Sequence, residues 1–242
     1  MSKISDLLNL ISRKELNLSN SSYTYNGYKV PRVTSILSRC IHNDGLMYWA
    51  NNLGLKQHKS YSAFMKEAAS IGTACHDNID AFHNDKAHEI ADGIDYRSIN
   101  AYNSFLLWFN DISNLAAIEI VYHEKPLVCP WFGGTLDALY KINGAYYLID
   151  FKTSNHITFN YFLQLAAYRY ILKTEHHINV DGVIVLQLNK NGISYNEYTL
   201  NFCNPEHLRF IEICERTFLS LVYSYYNINI IEDEYNNLKF GG

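Results

Sequence analysis

Residues 133–154, GGTLDALYKINGAYYLIDFKTS, contain the feature that most constrains the fold: two apolar segments joined by Asn143-Gly144. Asn-Gly between such segments is a strong β-hairpin signal, because a two-residue type I′ turn needs positive φ at both central positions. With these two residues as the loop, Ile142 pairs with Ala145 and each further pair lies one residue outward on both strands. The sequence therefore predicts a tight antiparallel hairpin with a fixed register.

This register makes two aspartates, Asp137 and Asp150, direct cross-strand neighbours. Like charges placed opposite each other destabilise a sheet. The repulsion is offset if one acid stays protonated, if a basic group bridges the pair, or if a divalent cation binds between them. Lys152 lies on the same face as Asp150 and supplies one positive charge. The other face of the hairpin is expected to be wholly apolar and buried, with these residues: Leu136, Ala138, Tyr140, Tyr147, Ile149 and Phe151.

A third acid is expected beside this pair. In AAIEIVY, residues 116–122, Ile118, Ile120 and Tyr122 share one face of a predicted strand and Glu119 takes the other. A strand alternating in this way turns Glu119 toward Asp137. Such a grouping suits Mg²⁺, which prefers carboxylate oxygens, waters and substrate phosphate as ligands, and paired metal ions stabilise both oxygens of a phosphate displacement.

The remaining hydrophobic periodicity predicts a helical half followed by a sheet. Apolar residues at steps of three and four predict helices over about 62–84 and 97–110, after a YTYNGYKV hairpin and a helix that opens near Thr34 or Ser35. Further along, strands are predicted at 116–122, 134–142, 145–153, 183–188 and 195–200, and helices at 159–172 and 205–226. This order predicts an α/β or α+β fold with a central mixed β-sheet flanked by helices.

Length and composition are those of an ordinary globular protein. The 242 residues favour one domain: a mainly helical part over 1–110, a sheet and helix over 111–202, and a C-terminal helix and tail over 203–242. A net charge of -4 argues against a broadly basic nucleic-acid coat but leaves room for a local basic groove. Five cysteines without a close pair fit a reducing compartment and are expected to be small core residues. With no apolar run of membrane-spanning length, a soluble, cytoplasmic protein without membrane contacts is expected.

Taken together, these motifs resemble the PD-(D/E)XK nuclease superfamily, specifically the phage-type members of its RecB-like exonuclease branch. The resemblance covers roughly residues 70–170, and the matching pieces stand in the family's order: IGTACH (71–76), AIEIVY, GGTLDALY, LIDFKTS and QLAAYRY (164–170). It implies a restriction-endonuclease-like core with an N-terminal helical elaboration.

The resemblance also implies a metal centre. Asp137 and Asp150 would bind one or two Mg²⁺ or Mn²⁺ ions, helped by Glu119, by the Phe151 carbonyl and by His76 as a further ligand. No iron-sulfur cluster is expected, because the sequence lacks the CxxC-bearing cluster of the subgroup that has one. A zinc site built on His83 and His88 is the alternative, although no third ligand stands at a suitable spacing.

Other residues would handle the substrate. Lys152 would orient or activate the attacking water and offset charge on the scissile phosphate. Gln164 and Tyr168, four residues apart on one helical face, would position the nucleic-acid strand or the lysine. Thr153 and Ser154 would donate to a phosphate.

The function that the resemblance implies is a metal-dependent deoxyribonuclease, an exonuclease on single-stranded DNA or DNA ends, with recombination or replication proteins as further partners. Two alternatives stay open. One is a site- or structure-specific endonuclease with the same site, and the other is a non-catalytic nucleic-acid-binding adaptor. Each key residue also has a plain structural reading, in which the aspartates are solvated rim acids, His76 is an ordinary helix histidine and Tyr168 is a core tyrosine.

Overall fold

The structure, a computed structural model, describes residues 22–41, 60–86 and 95–238. His88 lies outside these residues. Within them the chain forms a short hairpin, a five-stranded sheet and five helices. The strands are β1 (Tyr23–Tyr25), β2 (Tyr28–Val30), β3 (Ile118–Val128), β4 (Gly133–Ile142), β5 (Ala145–Lys152), β6 (Gly182–Leu188) and β7 (Tyr195–Asn201). The helices are α1 (Val33–Cys40), α2 (Tyr61–His83), α3 (Tyr96–Ser113), α4 (Phe159–Glu175) and α5 (Pro205–Asn237).

The central sheet has the order β3-β4-β5-β6-β7. Strands β5 and β6 are parallel, joined by a crossover through α4, and the other neighbours are antiparallel. The prediction of an α+β fold with a mixed central sheet flanked by helices is confirmed.

The β4–β5 turn has the predicted conformation. Asn143 and Gly144 both have positive φ, 50° and 88°, and Ile142 pairs with Ala145. The first hairpin repeats this chemistry with Asn26 at φ 49°. Asn-Gly thus fixes the register of both hairpins, because few other dipeptides adopt positive φ twice without strain.

Each face of the sheet carries its own apolar core. Helices α1, α4 and α5 cover one face, and α2 and α3 cover the other. Ala138, Tyr140 and Phe151 share one face as predicted, and they pack under α2 and α3. Leu136 was expected with them and instead packs in the opposite core. The alternation of β4 is therefore interrupted between Leu136 and Ala138, at Asp137.

Several boundaries differ from the predictions. Helix α1 begins at Val33 after Arg32, which makes no side-chain cap, so neither Thr34 nor Ser35 is its N-cap. Strand β3 continues to Val128, and α5 extends to Asn237. Three cysteines are buried, whereas Cys40 is half-buried and Cys203 is exposed. Among the described residues, no helix combines the length and apolarity needed to cross a membrane.

Candidate metal centre

The candidate site forms where β4 and β5 separate. Their regular pairing ends at Ala138–Ile149, so Asp137 and Asp150 are not the ladder pair that the turn register predicted. Instead, the Phe151 amide donates to Asp137 Oδ2 at 2.8 Å. Asp137 and Asp150 are 9% and 1% exposed, which makes them two of the few buried charged side chains among the described residues. The interrupted pairing opens the sheet where these two carboxylates lie.

Glu119 does not lie beside Asp137, which corrects the expectation from strand alternation. Its Cα partner on β4 is Lys141, near the hairpin turn. Its carboxylate is 3.9 Å from Lys141 Nζ and its side chain is 68% exposed. Tyr122 was expected on the same face as Ile118, but after the bulge it packs against the opposite core. The register of β3 against β4 was also not predicted, because no tight turn fixes it.

Glu124 takes the place that was assigned to Glu119. A bulge between Ile120 and Tyr122 shifts the register of β3. Glu124 then falls between His123 and Lys125, whose partners on β4 flank Asp137. Its φ is +40°, a conformation that non-glycine residues rarely adopt. Bulges and strained backbone are concentrated at functional sites, where they re-aim a side chain.

His76 lies on α2 and approaches Glu124 and Asp137 from the face of the sheet that α2 and α3 cover. Its Nδ1 is 3.2 Å from Glu124 Oε1, and its Nε2 is 3.1 Å from the Phe151 carbonyl oxygen and 3.9 Å from Asp137 Oδ2. Burial by itself lowers the pKa of His76, but the charges of Asp137 and Glu124 overcome it and raise the pKa to about 9. The surroundings of His76 therefore favour a positive charge at this point.

Three of these side chains can share one ion. Ligand atoms of His76, Glu124 and Asp137 all lie within 4.8 Å of one another. The Phe151 carbonyl oxygen, 3.1 Å from His76 Nε2, lies beside this group. Carboxylate and carbonyl oxygens suit Mg²⁺ or Mn²⁺, and the imidazole extends the preference toward Mn²⁺.

Asp150 and Lys152 form a buried ion pair next to this group. Lys152 Nζ lies 2.7 Å from Asp150 Oδ1, and their side chains are 18% and 2% exposed. Burial, opposed by Lys152 and reinforced by Asp137, raises the pKa of Asp150 to about 7. Burial lowers the pKa of Lys152, but Asp150 and Asp137 outweigh it and raise that pKa above its usual value. Lys152 Nζ also lies 5.1 Å from the centroid of the Tyr161 ring, which it faces.

One oxygen of this pair lacks a protein partner. Asp150 Oδ2 is fully buried and makes no hydrogen bond within the described residues. An unpaired buried carboxylate oxygen is costly. A cation at this oxygen would remove the cost, so the donor set fits a bound divalent metal.

The predicted substrate residues lie around the same centre. Tyr168 is buried, and Gln164 Nε2 is 3.5 Å from its hydroxyl. Burial, together with the charges of Asp137 and Asp150, raises the pKa of Tyr168 well above its usual value, so its hydroxyl keeps its proton. Thr153 and Ser154 follow β5 and line a cleft of about 760 Å³ that also contains Lys152 and His76.

Sequence reasoning missed Glu124 altogether. The residue lies in the same strand as Glu119, between a histidine and a lysine. Only the bulge and the long-range pairing with β4 distinguish the two glutamates, and neither leaves a local sequence signal.

Comparisons with known proteins add little to this site. No family model and no curated protein matches the chain. A solved structure titled "Crystal structure of SSO0001" is similar over 58% of this chain and 70% of that chain, with 13% identity and a TM-score of 0.25. A TM-score this low carries no argument, so the functional conclusion depends on the residues themselves.

Proposed function

We propose that this chain is a metal-dependent deoxyribonuclease of the PD-(D/E)XK type that hydrolyses phosphodiester bonds, acting on single-stranded DNA or DNA ends. The observation that supports the proposal most is the grouping of Asp137, Asp150 and Lys152 with His76 and Glu124. His76, Glu124 and Lys152 line one open cleft. Three acids, a histidine and a lysine, drawn from three strands and a helix, are more than the fold needs for stability.

The metal would be held chiefly by Asp137, Glu124 and His76, and Asp150 has a buried oxygen without a hydrogen-bond partner that could serve as a further ligand. One or two Mg²⁺ or Mn²⁺ ions meet the preference of such oxygen ligands. When bound, the metal supplies an activated water and neutralises charge that develops on the phosphate. The protein contributes the fixed positions of the carboxylates, which the Phe151 amide and the β5–β6 pairing hold in place.

Lys152 acts as a cation in this proposal and not as a base. Its raised pKa keeps the ammonium protonated at neutral pH. Asp150 and the Tyr161 ring hold it on one side of the cleft, where it can orient the attacking water and stabilise negative charge on the scissile phosphate. Preorganised positive charge of this kind is commonly the largest single contribution to such catalysis.

Thr153, Ser154, Gln164 and Tyr168 support the substrate and the lysine. The hydroxyls of Thr153 and Ser154 border the cleft directly after Lys152, where a phosphate oxygen would lie. Tyr168 is buried against Gly134 of β4, and its hydroxyl adjoins Gln164. This pair therefore supports β4, the strand that carries Asp137.

Hydrolysis of internally labelled DNA tests the proposal. Purified protein is incubated with linear single-stranded, circular single-stranded and double-stranded DNA, each with Mg²⁺, Mn²⁺ or EDTA. We expect metal-dependent degradation of linear DNA that EDTA abolishes, with circular single strands left intact. Cleavage of circles would assign the endonuclease alternative, and DNA retention without hydrolysis in any metal would assign the adaptor alternative.

The mechanism has its own test. Activity that persists in EDTA, or a Lys152→Ala variant as active as the parent, would overturn the proposed roles of the metal and of the lysine.

A further inference from the structure

Three cavities follow one another along the surface from the candidate metal centre. The cleft at Lys152 shares Thr153 and Ser154 with a polar pocket of about 210 Å³. That pocket shares Asn155 and Gln187 with a third cavity of about 460 Å³. Each cavity therefore adjoins the next, from the candidate catalytic lysine to the third cavity, which we call the aromatic cleft.

The aromatic cleft takes its name from four rings: Phe159, Phe162, Tyr198 and Phe210. Phe159 is 59% exposed, Tyr198 41% and Phe210 39%. Phe162 packs edge-to-face against Phe210 with the ring centroids 5.6 Å apart, which supports the exposed ring from behind. Several large rings left partly exposed in one concavity mark a binding site more often than a folding requirement.

The aromatic cleft differs from the candidate metal centre in its charge. Its lining residues include no Lys, Arg, Asp or Glu, and their polar groups are two amides, two hydroxyls and the imidazole of His156. A neutral aromatic surface with amide groups at its edge suits the flat faces of nucleobases better than a chain of phosphates. The metal centre and Lys152, by contrast, provide the positive charge for a phosphate.

We propose that the aromatic cleft stacks unpaired bases of the strand whose scissile phosphate lies at Lys152. This inference rests on the proposed nuclease function. It narrows the substrate to DNA that is single-stranded on the side of the scissile phosphate that faces the aromatic cleft. Base faces are hidden inside a duplex and exposed in a single strand, so only the single strand can use the four rings. Stacking tolerates any base, since every base has a π-face, and the cleft therefore confers little sequence preference.

Binding in EDTA isolates the cleft from the metal. Fluorescence anisotropy compares a labelled oligothymidylate, an abasic oligomer of the same length and a duplex. We expect Phe159→Ala and Phe210→Ala each to weaken oligothymidylate binding about tenfold, which corresponds to the loss of one stacked base. Phe159→Trp should restore it. The abasic oligomer and the duplex should bind weakly to parent and variants alike.

A matched control is available on α3. Tyr96 is the first residue of its helix, as Phe159 is of α4, and is 67% exposed, but it lines none of the three cavities. Tyr96→Ala should therefore bind oligothymidylate as the parent does. Circular dichroism of each variant checks that the fold is retained.

The two proposals fail in different ways. If the abasic oligomer binds as tightly as the oligothymidylate, or if Phe159→Ala and Phe210→Ala bind like the parent, the cleft does not stack bases, although metal-dependent hydrolysis can still be present. If base-dependent binding is lost in these variants but no metal produces hydrolysis, the cleft inference holds for binding and the nuclease proposal is wrong. If the duplex binds as tightly as the single strand, the restriction to unpaired bases is overturned.

Discussion

His76 and Glu124 meet across the space between helix α2 and strand β3, with Nδ1 and Oε1 3.2 Å apart. Each belongs to the group of three that can share an ion with Asp137. The histidine comes from a helix that the sequence predicts well, whereas the glutamate reaches it only because β3 is bulged.

The two glutamates of β3 are expected to differ in their effect on metal binding. Glu124→Gln removes a ligand charge and should weaken Mn²⁺ binding by about tenfold or more. Glu119→Gln changes an exposed side chain next to Lys141 and should leave it unchanged. Because a ligand that binds only the folded state raises the melting temperature, the Mn²⁺-dependent shift in Tm reports both affinities without requiring activity. Equal shifts for the two variants would place the metal away from Glu124.

The positive φ of Glu124 should cost stability. At φ +40° a glycine is unstrained, whereas an alanine is strained by its Cβ. Glu124→Gly should therefore be about 1 kcal/mol more stable than Glu124→Ala in EDTA, although glycine is normally the less stabilising of the two in a strand. Urea unfolding of the two variants measures the difference. A more stable alanine variant would show that the backbone at this position is not strained.

Lys152 is expected to matter for turnover but not for metal binding. Lys152→Ala should lower the rate of DNA hydrolysis about a hundredfold or more, since it removes fixed positive charge at the phosphate. Its Mn²⁺-dependent Tm shift should persist, because loss of a cation beside Asp150 makes the site more negative. Lys141→Ala, in the same sheet next to Glu119, is the matched control and should hydrolyse DNA at the parent rate.

Replacing Gly134 by a residue with a side chain should lower the stability of the protein for a steric reason. A Cβ built there lies 2.6 Å from the Tyr168 hydroxyl oxygen and 2.7 Å from Tyr168 Cε1. Gly134→Ala must displace a buried ring and should destabilise the protein by about 1–3 kcal/mol. At Gly192 the nearest atom to a built Cβ is 3.8 Å away, so Gly192→Ala should change the free energy of unfolding by less than about 0.5 kcal/mol. Chemical denaturation of both variants makes the comparison.

His83 should make the fold sensitive to mild acid. Burial, with a further contribution from His123, lowers the pKa of His83 to about 4 from 6.5 in the unfolded chain. The unfolded state thus binds a proton between these values that the folded state does not. The contribution of His83 to stability is therefore complete above about pH 6.5 and falls as the pH drops toward 4, by at most about 1.4 kcal/mol per pH unit.

A neutral replacement tests this titration. His83 contacts the buried Tyr140 hydroxyl through Nε2, and His83→Gln keeps a hydrogen-bonding group there without the titration. Relative to the parent, the free energy of unfolding of His83→Gln should rise as the pH falls from 6.5 to 4. If the difference between parent and variant stays constant over this range, His83 is not the titrating group.

The sequence by itself determined the elements and the local geometry of the hairpin. Asn143-Gly144 fixes the β4–β5 register through its positive φ angles, and this local chemistry is enough to predict that Asp137, Asp150 and Lys152 lie near one another. Periodicity located α2 and α3, because burial of one helical face needs apolar residues at fixed steps.

The tertiary structure decided which third acid joins the pair. Nothing local distinguishes Glu119 from Glu124. Their positions depend on how β3 pairs with β4 across a loop that sets no register, and on a bulge that shifts this pairing by one residue. The interruption at Asp137, which sends Leu136 to the opposite core, is likewise a compromise between neighbouring strands and the helices that cover them. Pairings of this kind are set by the sum of many distant contacts, and so they appear only once the whole sheet is assembled.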